Sequence, residues 1–160
     1  MLTPAILLYD IVLFVQVLAV VLAFGVVFTY PLLDAHMRKT NPGDLVALHR
    51  MQVFLTRHLI TPMMVVVLAA GLYLALDRWK LGDGWISATF AILIVLFGLV
   101  GAVFTPSEKR LAQLAARDAQ AGGARSAEYE REAKKLAMFG ALAGLLIIVA
   151  IFLMTVKPGA

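Results

Sequence analysis

The sequence predicts an all-α fold: an integral membrane four-helix bundle, N-out and C-out, with short cytoplasmic helical extensions. Composition is the first observation behind this. Of 160 residues, 62% are hydrophobic and 15% are charged, against roughly 25% charged in an ordinary soluble domain. One small core cannot hide that much apolar surface, so lipid must solvate the excess. The second observation is the gathering of apolar residues into runs at about 11–33, 59–76, 85–104 and 136–156, none of which contains Asp, Glu, Lys or Arg. Each is near the ~20 residues that cross a hydrocarbon layer of about 30 Å. Inside a bilayer every backbone N–H and C=O must be paired within its own segment, so each run is a helix.

The third observation is the uneven placement of positive charge. Arg38, Lys39, Arg50 and Arg57 lie between the first and second runs, and Lys109, Arg110, Arg117, Arg125, Arg131, Lys134 and Lys135 between the third and fourth. Only Arg78, Lys80 and Lys157 fall on the other side. By the positive-inside rule the loops 34–58 and 105–135 are cytoplasmic. Residues 1–160 then form one multi-pass domain in a bacterial cytoplasmic membrane. The first run lacks a basic leader and is too long for a signal-peptide core, so it reads as a retained helix.

The loops carry helix signals. Asn41-Pro42-Gly43-Asp44 is a turn with Asp44 as N-cap, so the second helix starts in the cytoplasm and enters the membrane near Leu59. Thr105-Pro106-Ser107-Glu108 has capping-box spacing, which predicts a break below the third span and a new amphipathic helix from Ser107 to about Gln120. Gly122-Gly123 ends it. Charge pairs among Glu128, Glu130, Glu132, Arg131, Lys134 and Lys135 start the fourth helix near Ser126.

Several function classes are excluded or disfavoured. The net charge of +4 sits beside apolar runs without the interleaved aromatics that stack bases, which argues against nucleic acid and for anionic lipid headgroups. The absence of cysteine rules out disulfides, thiolate catalysis, iron–sulfur ligation and covalently attached haem. Met51, Met63, Met64, Met138 and Met154 form no Met-x-x-Met ladder, so a copper relay has little support and no metal site is expected. Transport is disfavoured because no charged residue falls at mid-membrane.

The polar residues within the spans are Gln16, Thr29, Thr61, Ser87, Thr89 and Thr155, and they should face the bundle interior. Interhelical hydrogen bonding is the favoured role for Gln16, binding of a haem or anionic ligand the sharper one. Asp10 is expected to form an interfacial salt bridge with Arg78, Lys80 or Lys157 rather than to act as a proton relay. His36, His49 and His58 fall on the cytoplasmic side. His49 and His58 are nine residues apart, on opposite helix faces, so a solvated interfacial role is favoured over metal or haem. Arg50 and Arg57 share a face, with Thr61 a turn deeper. That stripe suits lipid phosphate first, and a carboxylate or haem propionate second. Gly140 and Gly144 form a small-xxx-small pair for close helix contact, with Gly71 and Gly98 as further packing positions.

The order of motifs resembles a known group. Gly25 precedes Tyr30-Pro31-Leu32-Leu33 and His36. Thr61-Pro62-Met63-Met64 and Gly71-Leu72-Tyr73-Leu74 bracket the second span, Gly84-Trp85-Ile86 opens the third, and Val156-Lys157-Pro158 closes the fourth. This resembles the four-helix bacterial membrane superfamily that contains the membrane-bound haem-associated protoporphyrinogen oxidase and the copper-resistance D domain, and within it an uncharacterised family of predicted integral membrane proteins. The resemblance implies a haem b site with a histidine midway along the first span and a lysine early in the third. Here Gln16 stands near the first place, and Ser87 and Thr89 fall at the places of the oxidase's third-span histidine and lysine. The scaffold is kept and the expected chemistry is not. The reading is therefore a non-enzymatic bundle or accessory subunit, without a cofactor, packing as a homo-oligomer or in a larger membrane complex. The alternative is a haem- or quinone-linked oxidoreductase of the protoporphyrinogen-oxidase type.

Overall fold

The computed structural model describes the backbone of residues 4–40 and 42–159, and the side chains of residues 8–40 and 43–159. Four helices dominate it: α1 (Pro4–Thr40), α2 (Leu45–Arg78), α3 (Gly84–Gln120) and α4 (Ala127–Val156). All four are long and apolar enough to cross a membrane, and no strand occurs among the described residues. The molecule is an all-α four-helix membrane bundle. Leu32, Phe14, Ile94 and Val21 stand on its outside, each more than half exposed, as side chains solvated by lipid do.

The helices outlast their apolar runs at one end, here called the basic end, where the two longer connections lie. α1 runs through Pro31 to Thr40 without interruption. The expected break at Thr105-Pro106 does not occur: α3 continues through a π turn at Val100–Phe104. α2 carries a matching π turn at Thr56–Ile60, also followed by Thr-Pro. The physical reason is the same in both. A proline ring crowds the carbonyl one turn back and gives it no N–H, and before each proline the backbone widens into i→i−5 bonding, the Thr61 N–H reaching the Thr56 carbonyl and the Thr105 N–H that of Val100. Thr61 Oγ1 donates to the Thr56 carbonyl at 2.7 Å, and Thr105 Oγ1 to that of Val100 at 2.8 Å.

Other boundaries follow the sequence signals. A short 3₁₀ turn, Pro42–Asp44, leads into α2; Asn41 of the expected turn lies outside the described residues. α3 ends where Gly122 and Gly123 take φ of 110° and 84°, and the Gly123 N–H reaches back to the Asp118 carbonyl at 2.9 Å, a Schellman-type stop that needs glycine. Ser126 caps α4, its Oγ accepting from the Tyr129 N–H at 3.2 Å.

Within the span α1 packs along α2, and α3 along α4. The two pairs meet in a core of Ala19, Ala23 and Phe24 from α1, Ile60, Met64 and Val67 from α2, Leu93 and Leu96 from α3, and Ala143 and Ile147 from α4. A second core at the basic end joins Leu45 and Leu48 to Leu111, Leu114, Ala115 and Tyr129. At the opposite end Trp79 meets Trp85 edge-on at 5.2 Å, and Lys157 lies over the Trp79 ring at 4.7 Å.

Polar residues of the spans divide in two. Gln16 and Thr89 are buried, but Thr29, Ser87 and Thr155 are exposed, against the expectation that all face inward. Their hydroxyls donate to nearby backbone carbonyls, of Val26, Leu81 and Ile151 respectively, and a hydroxyl satisfied by the backbone can face lipid. Asp10 makes no ion pair among the described residues: Arg78 lies over the Tyr9 ring at 3.8 Å and pairs with Asp77 instead. Gln16 is 2% exposed, and neither its Nε2 nor its Oε1 has a hydrogen-bond partner. It presses on α2 at Gly71, where a Cβ would stand 3.0 Å from Nε2. Gly71 thus makes room for the amide. Gly71→Ala should cost about 1–3 kcal/mol through overpacking, and most of that cost should vanish when Gln16→Ala is present in the same chain. Thermal unfolding of the single and double variants in detergent measures the coupling; additive effects would remove Gly71 from this contact.

Candidate functional site

Polar side chains that join different helices concentrate at the basic end. The apolar stripe that opens α2 comprises Leu45, Leu48, His49, Gln52 and Thr56, all buried. Its spacing directs His49 into the bundle, 2% exposed. Gln52 Oε1 lies 2.8 Å from His49 Nδ1; a carbonyl oxygen can only accept, so Nδ1 carries the hydrogen. Nε2 is then an acceptor for the Tyr129 hydroxyl of α4, at 2.8 Å. Burial pushes the His49 imidazolium below the usual histidine range and the Tyr129 phenol up to about 12. Both are neutral near pH 7, and the pair is a neutral hydrogen bond between α2 and α4.

A charged layer covers that bond. Arg38 of α1 reaches Asp34 Oδ2 at 2.5 Å and Glu130 Oε2 of α4 at 2.9 Å, and its guanidinium lies 5.4 Å from the centre of the Tyr129 ring. Arg125 holds the other Glu130 oxygen at 2.6 Å. Arg117 and Arg110 of α3 share Glu128, at 3.0 and 2.8 Å. The Ser126 backbone N–H, at 2.7 Å, is the main reason the Asp118 carboxyl stays below the ordinary carboxylate range. All four helices are thereby fastened together at this end.

Nearer the membrane, Glu108 of α3 is 5% exposed. Thr56 Oγ1 donates to its Oε1 at 3.1 Å, and Oε2 has no hydrogen-bond partner. Burial pushes this carboxyl up to about 7, with the Thr56 hydrogen bond opposing. Glu108 does not close the capping box expected of it, because the helix it would cap does not begin there.

The sequence-derived candidates do not converge. His36 is exposed on α1. His58 is exposed on α2, stacked on Phe54 with ring centres 4.4 Å apart. His49 is buried rather than solvated, because it lies on the apolar stripe, and both of its ring nitrogens are engaged. These residues do not fit a haem: no two imidazoles face a common space, and ligation by His49 would break its bond to Gln52 or Tyr129. Among the described residues no group of His, Asp and Glu is placed to hold a metal ion. Arg50 and Arg57 are exposed, but the Thr61 hydroxyl beneath them is turned to the Thr56 carbonyl. The packing glycines separate likewise. Gly71 meets Gln16, and a Cβ at Gly144 would stand 3.5 Å from the Phe28 ring, whereas Gly98 and Gly140 have nothing within 4 Å of a Cβ position, so neither makes close contact within the bundle.

Sequence reasoning missed Glu108, Thr56, Tyr129 and the Arg38 bridge. A signal existed for the first: Glu108, Leu111 and Ala115 share one face at i, i+3 and i+7, which places a carboxyl on an apolar stripe. Tyr129 and Ala133 repeat the pattern on α4.

A family model described as "Predicted integral membrane protein (DUF2269)" matches residues 10–158, and the chain belongs to that family. No curated protein and no solved structure matches it.

The buried His49–Tyr129 bond and the exposed His58 should respond differently to mutation. Tyr129→Phe leaves a buried ring nitrogen without a partner and should cost about 1–3 kcal/mol. His58→Ala should change stability by less than about 0.5 kcal/mol. Thermal melts of both variants in nanodiscs separate the two; equal costs would contradict the assignment.

Proposed function

We propose that this DUF2269 family member is a non-enzymatic bundle of the bacterial cytoplasmic membrane, an accessory subunit that packs against a second copy or a larger membrane complex. The observation that carries the reading is the unused face at Gly140. In lipid, helices associate where small residues let their backbones approach. Gly140 and Gly144 have that spacing, yet open space adjoins Gly140 and only one ring edge adjoins Gly144. Several polar side chains at the basic end support it too. Both His49 nitrogens, the Arg38 guanidinium and the Glu128 and Glu130 carboxylates are spent on bonds within the chain.

The basic end faces the cytoplasm in this reading, with both termini outside. Arg50, Arg57, Lys109 and Lys134 are exposed and in no ion pair among the described residues, which suits anionic lipid headgroups at about 1 kcal/mol each. The competing reading is a haem- or quinone-linked oxidoreductase, related through the oxidase and copper-resistance D superfamily. It rests on motif order alone, with Gln16, Ser87 and Thr89 where that scaffold carries ionisable residues.

Two experiments test the proposal. A cysteine at Gly159 should react with a membrane-impermeant thiol reagent on intact cells, and one at Ala121 only after lysis; labelling of Ala121 on intact cells would invert the topology. Gly140→Ile should leave the melting temperature of the isolated chain unchanged while abolishing its association in vesicles, read by subunit-counting photobleaching. Association that survives the change, or a Soret band in gently purified protein, would favour the competing reading.

A further inference from the structure

Among the described residues Glu108 is the one buried carboxyl with an oxygen left unpartnered. Asp118, the other buried acid, has its oxygens engaged by Arg117 and the Ser126 backbone. At Glu108, Thr56 Oγ1 donates to Oε1, and Oε2 meets no donor. No cation is turned toward it. On its own helix Lys109 and Arg110 are exposed, and Arg110 is held by Glu128 at 2.8 Å. On α2 Arg57 and His58 are exposed. α1 contributes Tyr30, a neutral phenol whose hydroxyl is likewise unpartnered. On α4 Glu132 is engaged by Lys135 at 3.5 Å.

An ionised carboxylate here would be a buried anion with one bare oxygen and no counter-charge, which is the arrangement that favours the neutral acid. The Thr56 hydrogen bond marks Oε1 as the carbonyl-like oxygen, so the proton belongs on Oε2. The surroundings are also ones that can open. Thr56 is the first residue of one π turn, and the other ends at Phe104, one helical turn before Glu108. π turns interrupt regular helix packing and recur at functional sites.

We propose that Glu108 is a proton-binding site at the basic end of the bundle, holding a proton on Oε2 while α2 and α3 are packed and exchanging it with water on that side. The site goes beyond the accessory-subunit reading and does not depend on it. Burial raises the group to about 7, so its occupancy changes across the neutral range.

The test uses the full chain in nanodiscs and dicyclohexylcarbodiimide, an apolar carbodiimide that reacts with protonated carboxyl groups in apolar surroundings. Modification of Glu108, located by peptide mass spectrometry, should be strong in mild acid and decline with a midpoint near pH 7. It should be absent in Glu108→Gln. Thr56→Val removes the hydrogen bond that favours the ionised form and should move the midpoint up by about one pH unit. A merely structural contact would not shift it. The Thr56→Val shift, set against the wild-type profile, carries the test if Glu108→Gln fails to fold. Sodium or potassium chloride should protect no better than choline chloride. Protection by either metal cation would make this a metal-cation site and overturn the proposal. So would absence of modification at every pH, a profile without a midpoint, or a midpoint that Thr56→Val leaves in place.

Discussion

A proline inside a membrane helix removes a backbone N–H and crowds the carbonyl one turn back, and beside lipid a broken helix finds no water for its freed groups. α2 and α3 carry the same device, a π turn whose first carbonyl accepts both the N–H and the hydroxyl of the threonine before the proline. The rest of the bundle depends on it. Because neither helix breaks, α3 projects in one piece past Phe104 to Gln120 and lies along the opening turns of α2. Glu108 then falls beside Thr56, and the seam between α2 and α3 leaves His49 facing Tyr129 of α4. A break at Thr105 would have freed residues 107–120 to lie along the membrane surface, and none of these contacts would form.

That dependence marks the boundary of what the sequence discloses. The spans were legible because about twenty uncharged apolar residues leave the chain one option in lipid. The Ser126 cap and the Gly122-Gly123 stop were legible because they are local, each set by a residue's own hydrogen-bonding or conformational range. Thr105-Pro106-Ser107-Glu108 is also a local signal, and it misleads. Its threonine and proline serve equally to start a helix or to close a π turn within one, and nothing in the four residues distinguishes the two. The basic-end contacts were the least legible. His49 and Tyr129 are eighty residues apart, and Arg38 and Glu130 ninety-two, so no spacing rule joins them. Only their positions on apolar stripes hint that these polar groups turn inward.

Gln16 illustrates the same limit from the other side. Its inward orientation follows from the expense of exposing an amide to lipid, and it is buried. Its partner does not follow. The amide lies against Gly71, a residue with no side chain to bond it, rather than beside a hydroxyl on a facing helix. Sequence places a polar residue on a face; what it meets there depends on the depth at which two helices cross, and one glycine decides that here.

The two cores do different physical work. Between the apolar runs, Ala19, Ala23, Ala143 and their neighbours pack by shape alone, since lipid tails are as apolar as the helix surfaces and burial there gains little. Past the runs water returns, and with it a gain of about 25 cal/mol for each Å² of apolar surface buried. Leu45, Leu48, Leu111 and Leu114 pack there, 6% exposed or less. Directional bonds sit on the same small core: His49 to Tyr129 and Arg38 to Glu130 fix α4 against α2 and α1. A slide of one turn along any helix would unmake these bonds, while the span would exchange one apolar contact for another. Helix register is therefore set outside the hydrocarbon. Glu108, bonded to Thr56, lies between the two cores, one turn past Phe104 at the margin of the first and one turn before Leu111 of the second.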